Sequence, residues 1–138
     1  MDRKDFIVKT GMFATVCVCA GACVLSKDEP IEPKKNEKTD FTIDLNNSKF
    51  VDLQIVGGFV YEKLIIITKV GVNEFIAFTQ YCTHAAGVVK FVPSKNHFQC
   101  LVHGSLFDLD GKVLQSPANE PLKKYKTELS GSLLRIFE

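Results

Sequence analysis

Residues 80–107 read QYCTHAAGVVKFVPSKNHFQCLVHGSLF, and this stretch decides the fold. Two short segments stand out in it, Cys82-Thr83-His84 and Cys100-Leu101-Val102-His103, with fifteen residues between them. The first is C-x-H and the second C-x-x-H. Each cysteine ends a strand-like run, and each histidine leads into Gly- or Ser-containing loop sequence. Two loops projecting side by side from adjacent strands would present four soft or borderline ligands to one metal centre. Thiolate sulfur and imidazole nitrogen suit iron–sulfur or zinc chemistry. Structural zinc sites usually place two cysteines in one knuckle. Here each loop offers one cysteine and one histidine, the arrangement expected when two metal atoms are ligated differently. Counting alone leaves a Cys82–Cys100 disulfide open.

Outward from this stretch the chain is a series of short apolar runs broken by turns. Phe41-Thr42-Ile43-Asp44-Leu45 alternates at period two, as does Phe50-Val51-Asp52-Leu53-Gln54-Ile55 in part. Gly57-Gly58 interrupts the pattern. Leu64 to Lys69 and Glu74 to Thr79 flank the turn Val70-Gly71-Val72-Asn73. Further runs are Val88 to Val92, His97 to Cys100, Lys112 to Leu114, Tyr125 to Leu129 and Leu133 to Phe137. Strand-length runs at this spacing predict an all-β antiparallel domain over residues 41–138. His97 reads as a surface strand residue. Asp108-Leu109-Asp110-Gly111 is explained by backbone-turn chemistry. No nucleophile–base pair or phosphate loop is present, so no catalytic site independent of the metal centre is expected.

The N-terminal part is of a different kind. Arg3, Lys4 and Lys9 precede a charge-free, mostly apolar run from Gly11 to Leu25. As a helix that run rises about 22 Å, short of a bilayer core of roughly 30 Å. A start at Phe6, with Lys9 snorkelling, gives it the missing length. Residues 1–25 are therefore expected to be an export signal or an apolar anchor helix, basic end cytoplasmic. Arg3-Lys4-Asp5-Phe6-Ile7-Val8-Lys9 resembles a twin-arginine export signal, with Lys4 in place of the second arginine. Ala20-Gly21-Ala22-Cys23 resembles a bacterial lipoprotein box, which would make Cys23 the lipidated residue. The next stretch, residues 26–40, reads SKDEPIEPKKNEKTD. It has too little apolar surface to offset its ordering entropy and is expected to be a flexible linker. A net charge of +1 gives no support to a nucleic-acid partner.

The paired motifs, with Gly104-Ser105, Phe107-Asp108, Asp110-Gly111-Lys112-Val113 and Ser116-Pro117-Ala118, resemble the Rieske iron–sulfur family over residues 41–138. In such centres two histidines replace two cysteines on one iron of a 2Fe–2S cluster. The resemblance implies stacked antiparallel sheets with a small cluster-binding subdomain inserted in a larger base. It also implies Cys82 and Cys100 on the inner iron and His84 and His103 on the outer one. Ser105 would donate its hydroxyl to a cluster sulfur, and Pro117 would lie in a loop covering the cluster. Two departures are visible. Respiratory members join the two loops by a disulfide, where this chain has Gly87 and Val102. They also carry a tyrosine where this chain has Phe107.

The function this implies is one-electron transfer on the periplasmic face of a bacterial cytoplasmic membrane, with a cytochrome or oxidoreductase subunit as redox partner. The alternatives are the iron–sulfur subunit of a quinol–cytochrome reductase or of a Tat-exported oxidase, and the ferredoxin of a ring-hydroxylating dioxygenase.

Overall fold

The computed structural model describes residues 38–138. The expected anchor, the lipoprotein box and most of the expected linker lie outside the described residues. Among those described, no helix is long and apolar enough to cross a membrane.

The described residues form strands β1 Asp40–Asp44, β2 Phe59–Glu62, β3 Ile65–Lys69, β4 Phe75–Thr79 and β5 Val89–Val92. β6 His97–Cys100, β7 Leu106–Phe107, β8 Val113–Gln115, β9 Lys124–Ser130 and β10 Leu133–Phe137 follow. All neighbouring strands pair antiparallel. Six of them make a base sheet in the order β1-β10-β9-β4-β3-β2. The other four form a separate sheet, β5-β6-β7-β8, inserted between β4 and β9. β9 bridges two parts of the base: Lys124 and Tyr125 pair with β4, while Lys126 to Ser130 pair with β10.

β3 and β4 lie at the centre, and this explains their sequence. Ile65 and Ile67, with Phe75 and Ala77, face one core together with Ile43, Leu53, Leu134 and Ile136. Ile66 and Phe78 face a second core with Phe91, Phe98 and Phe107 of the inserted sheet. A strand covered on both sides reads as a continuous apolar run rather than an alternating one. The two candidate cysteines belong to this second core.

Two elements differ from the sequence reading. Phe50–Ile55 is not a strand, because Ser48–Gln54 forms 3-10 turns. The Asn47 side chain accepts from the Lys49 N–H at the start. The segment kinks at Phe50 (φ −111°, ψ 22°), and its buried residues are Phe50 and Leu53. β2 escaped notice because its hairpin to β3 turns at Lys63-Leu64, both at positive φ (48° and 67°). That geometry suits a two-residue hairpin, but its usual markers are Gly and Asn.

Candidate metal centre

β4 runs out of the base into the first loop, which closes on itself. The Cys82 N–H donates to the Gly87 carbonyl at 2.7 Å, and the Ala86 N–H to the Cys82 carbonyl at 3.0 Å. β6 ends at Cys100, where the second loop turns back into β7. There the Cys100 N–H donates to the Ser105 carbonyl at 2.8 Å and the Gly104 N–H to the Cys100 carbonyl at 3.1 Å. Gly104 sits at φ +77°, a left-handed position that glycine takes without steric cost. The inserted hairpin β5–β6 thus sets the two loops side by side.

The four candidate ligands sort into two pairs. Cys82 and Cys100 are buried and unoxidised, so the disulfide left open by counting is absent. His84 and His103 are exposed, and their Nδ1 atoms lie 3.3 Å apart with the rings perpendicular. Two imidazole nitrogens bound at about 2.0–2.1 Å to one tetrahedral ion stand roughly 3.3–3.4 Å apart. Among the described residues no three His, Cys, Asp or Glu side chains gather as the ligands of a single ion. The donor set fits a two-metal cluster, with an inner sulfur pair and an outer nitrogen pair.

Burial raises the Cys100 thiol pKa, but the backbone N–H groups of His103 and Val102, the Cys82 thiol and the Gly104 N–H outweigh it. The net result lies below the ordinary value. The second loop is thus wound to favour a thiolate at Cys100, the form that ligates metal.

A third loop, residues 116–123, is tied to both of these. The Ala118 N–H donates to the wholly buried Ser105 Oγ at 3.0 Å. That bond uses a lone pair and leaves the hydroxyl proton free to be donated. The Thr83 hydroxyl donates to the Glu120 carbonyl at 2.7 Å, tying the first loop to the third. Pro117 is exposed within this third loop, next to Ala118. Gln115 Nε2 donates to the Gly104 carbonyl at 3.3 Å. All six residues singled out in the sequence therefore belong to one three-loop assembly. Thr83 and Gln115 were not singled out, and a hydroxyl lying between a cysteine and a histidine was the available signal. His97 lies at the far end of β6, opposite Val92, away from the loops.

Gly87 and Val102 occupy the positions where a loop disulfide would stand. A Cβ added to Gly87 would lie 2.7 Å from Val102 Cγ2 and 2.9 Å from Cys100 Sγ. The loops meet there by close packing. In the loops that carry the imidazoles and in the third loop, Ala85, Ala86, Leu101, Val102 and Pro117 are exposed.

An all-β base with an inserted sheet whose loops pair two thiols with two imidazoles defines an iron–sulfur electron-transfer domain. A family model for the Rieske [2Fe-2S] domain matches residues 41–126, and the chain belongs to that family. Membership implies one 2Fe–2S cluster and one-electron transfer. The cytochrome b6-f complex iron-sulfur subunit of Chlorobaculum thiosulfatiphilum is 32% identical over 75 residues, 54% of this chain and 40% of that protein. The cytochrome b6-f complex iron-sulfur subunit 1 of Nostoc sp. (strain PCC 7120) is 32% identical over 98 residues, covering 62% of this chain and 51% of that protein. This chain thus spans about half or less of these curated relatives. Among solved structures, the plasma membrane Rieske protein PetC3 from Synechocystis PCC 6803 superposes with a TM-score of 0.54 at 26% identity. That likeness covers 64% of this chain and 93% of the other. The ferredoxin of carbazole 1,9a-dioxygenase from Nocardioides aromaticivorans IC177 gives 0.50 at 18% identity, covering 59% and 83%, a likeness of fold alone.

Proposed function

We propose that this chain is a membrane-tethered one-electron carrier. In it Cys82 and Cys100 hold the inner iron of the cluster, and His84 and His103 hold the outer iron. The observation that carries the ligand assignment is the sorting of the four side chains: two buried thiols and two exposed imidazoles with Nδ1 atoms 3.3 Å apart. When bound, the cluster supplies a one-electron couple. The chain's own residues do the rest. The backbone N–H groups of the second loop favour the thiolate of Cys100. The Ser105 hydroxyl is held by Ala118 with its proton free for a cluster sulfur. The exposed apolar side chains of the loops, Ala85, Ala86, Leu101, Val102 and Pro117, give a redox partner surface to cover at little desolvation cost.

Membrane attachment is the role proposed for residues 1–25, with the domain on the periplasmic side and a cytochrome or oxidoreductase subunit as partner. The likeness to a plasma membrane Rieske protein supports this. The likeness to cytochrome b6-f subunits favours a second reading, the iron–sulfur subunit of a quinol–cytochrome reductase. Phe107 and the Gly87–Val102 contact weigh against that reading, since respiratory members have a tyrosine and a disulfide there.

Iron and acid-labile sulfide analysis of the purified protein tests the cluster, and His103→Ser tests the ligand set. The variant is expected to lose the Rieske electron-spin signal; an unchanged signal would overturn the assignment. Protease added to intact spheroplasts should release the domain. Digestion only after lysis would overturn the topology.

A further inference from the structure

We propose that Tyr61 is a positioning residue for the cluster loops: its phenol pins to the base the short backbone crossbar, residues 87–89, that joins the two. The inference rests on the ligand assignment above.

The crossbar is continuous with both ligand-bearing segments. On the first side, the Cys82 N–H donates to the Gly87 carbonyl at 2.7 Å and the Val89 N–H to the Gln80 carbonyl at 2.9 Å. On the second, the Leu101 N–H donates to the Val88 carbonyl at 3.0 Å, and Val89 stands directly opposite Cys100 in the β5–β6 register. In an antiparallel ladder, bonded and non-bonded pairs alternate. Val88–Leu101 is a bonded pair, so the N–H and C=O of Val89 both turn away from β6. The N–H finds Gln80. The carbonyl receives the Tyr61 hydroxyl at 2.8 Å.

Tyr61 belongs to β2, the outermost strand of the base sheet, so this bond ties base to inserted sheet at the point where the spacing of the two cysteines is set. With Gly87 and Val102 merely in contact, the loops have no covalent tie, and this part-buried bond acts in its place. A phenylalanine at 61 retains the edge-on packing against Phe59 (centroids 5.7 Å apart) and removes only the hydroxyl.

The test compares holoprotein with and without Tyr61→Phe. Loss of cluster absorbance is followed in excess ferrous-iron chelator, and backbone hydrogen exchange is followed by mass spectrometry. Cluster loss is expected to be about five-fold faster, the effect of one hydrogen bond. Exchange should rise in peptides spanning residues 80–89 and 98–105, with β1 and β10 unchanged. Wild-type cluster loss would overturn the proposal. So would a rise in exchange of equal size in β1 and β10, which marks general destabilisation. The ligand assignment fails separately, through a retained Rieske signal in His103→Ser, and Tyr61→Phe does not bear on it.

Discussion

Gly87→Ala should damage the cluster site more than its single methyl group suggests. The new Cβ would meet Val102 Cγ2 at 2.7 Å, Val102 Cβ at 3.0 Å and Cys100 Sγ at 2.9 Å. Ordinary non-bonded carbon contacts fall at about 3.5–4.0 Å, so each approach is short by roughly 0.5–1 Å. The two neighbours differ in how they can yield. Val102 is 62% exposed and can turn outward, whereas Cys100 is 1% exposed and is a proposed ligand of the cluster. Overpacking of this kind costs about 1–3 kcal/mol. In a domain of about 100 residues that lowers the melting temperature by roughly 4–24 °C. The assay is thermal unfolding of the holoprotein followed by visible circular dichroism of the cluster. Adding Val102→Ala should recover only the part due to Val102 Cγ2, leaving the contacts with Cys100 Sγ and the residue 102 Cβ. A Gly87→Ala protein that melts like the wild type with an unchanged cluster spectrum would show that the loops have slack there. Full recovery by Val102→Ala would refute the sulfur contact.

Phe107→Tyr should raise the reduction potential, because a hydroxyl reaching a cluster sulfur stabilises the reduced state. A difference of about 1 kcal/mol between redox states moves a one-electron couple by roughly 40–50 mV. Ser105→Ala should lower it by a similar amount, and protein-film voltammetry measures both. Thr68→Val should stabilise the domain by about 1 kcal/mol, since the Thr68 hydroxyl is buried without a hydrogen-bond partner; a lower melting temperature would show that the hydroxyl is satisfied after all. The hydrogen bond and charge of Arg135 hold the Asp40 carboxyl below its ordinary value. Its contribution is therefore present above the unfolded carboxylate pKa and lost as pH falls through the lower folded value. Asp40→Asn should flatten the decline of stability below about pH 4, and acid titrations of urea midpoints would reveal an unchanged slope.

The residues with distinctive chemistry were legible in the sequence. Cys82, His84, Cys100 and His103 announced their loops by donor type and spacing. The runs that became β3, β4 and β10 were plain because each is short and largely apolar between turn residues, and β6 because its side chains alternate after the turn at residues 93–96. What escaped was set by pairing, packing and hydrogen bonding that residue type does not reveal. The turn at Lys63-Leu64 holds its left-handed backbone without glycine, because β2 and β3 pair on either side of it. Phe50 and Leu53 took a 3-10 path because the first core needed both on one side. At the site, Thr83 could not be assigned a role, since its acceptor, the Glu120 carbonyl, lies 37 residues away.

The inserted sheet leaves the base and returns to it almost at one point: the Thr79 N–H, at the end of β4, donates to the Lys123 carbonyl, just before β9, at 2.9 Å. Residues 80–123 are therefore a cassette whose two ends are already joined across a single hydrogen bond. Lengthening, shortening or exchanging it leaves the pairing of β4 with β9 untouched. A replacement must bring an apolar underside to cover Ile66 and Phe78 and a carbonyl placed to accept the Tyr61 hydroxyl. Redox properties can then be varied inside the cassette while the base keeps its sequence, which separates the part of the chain open to retuning from the part that fixes its architecture.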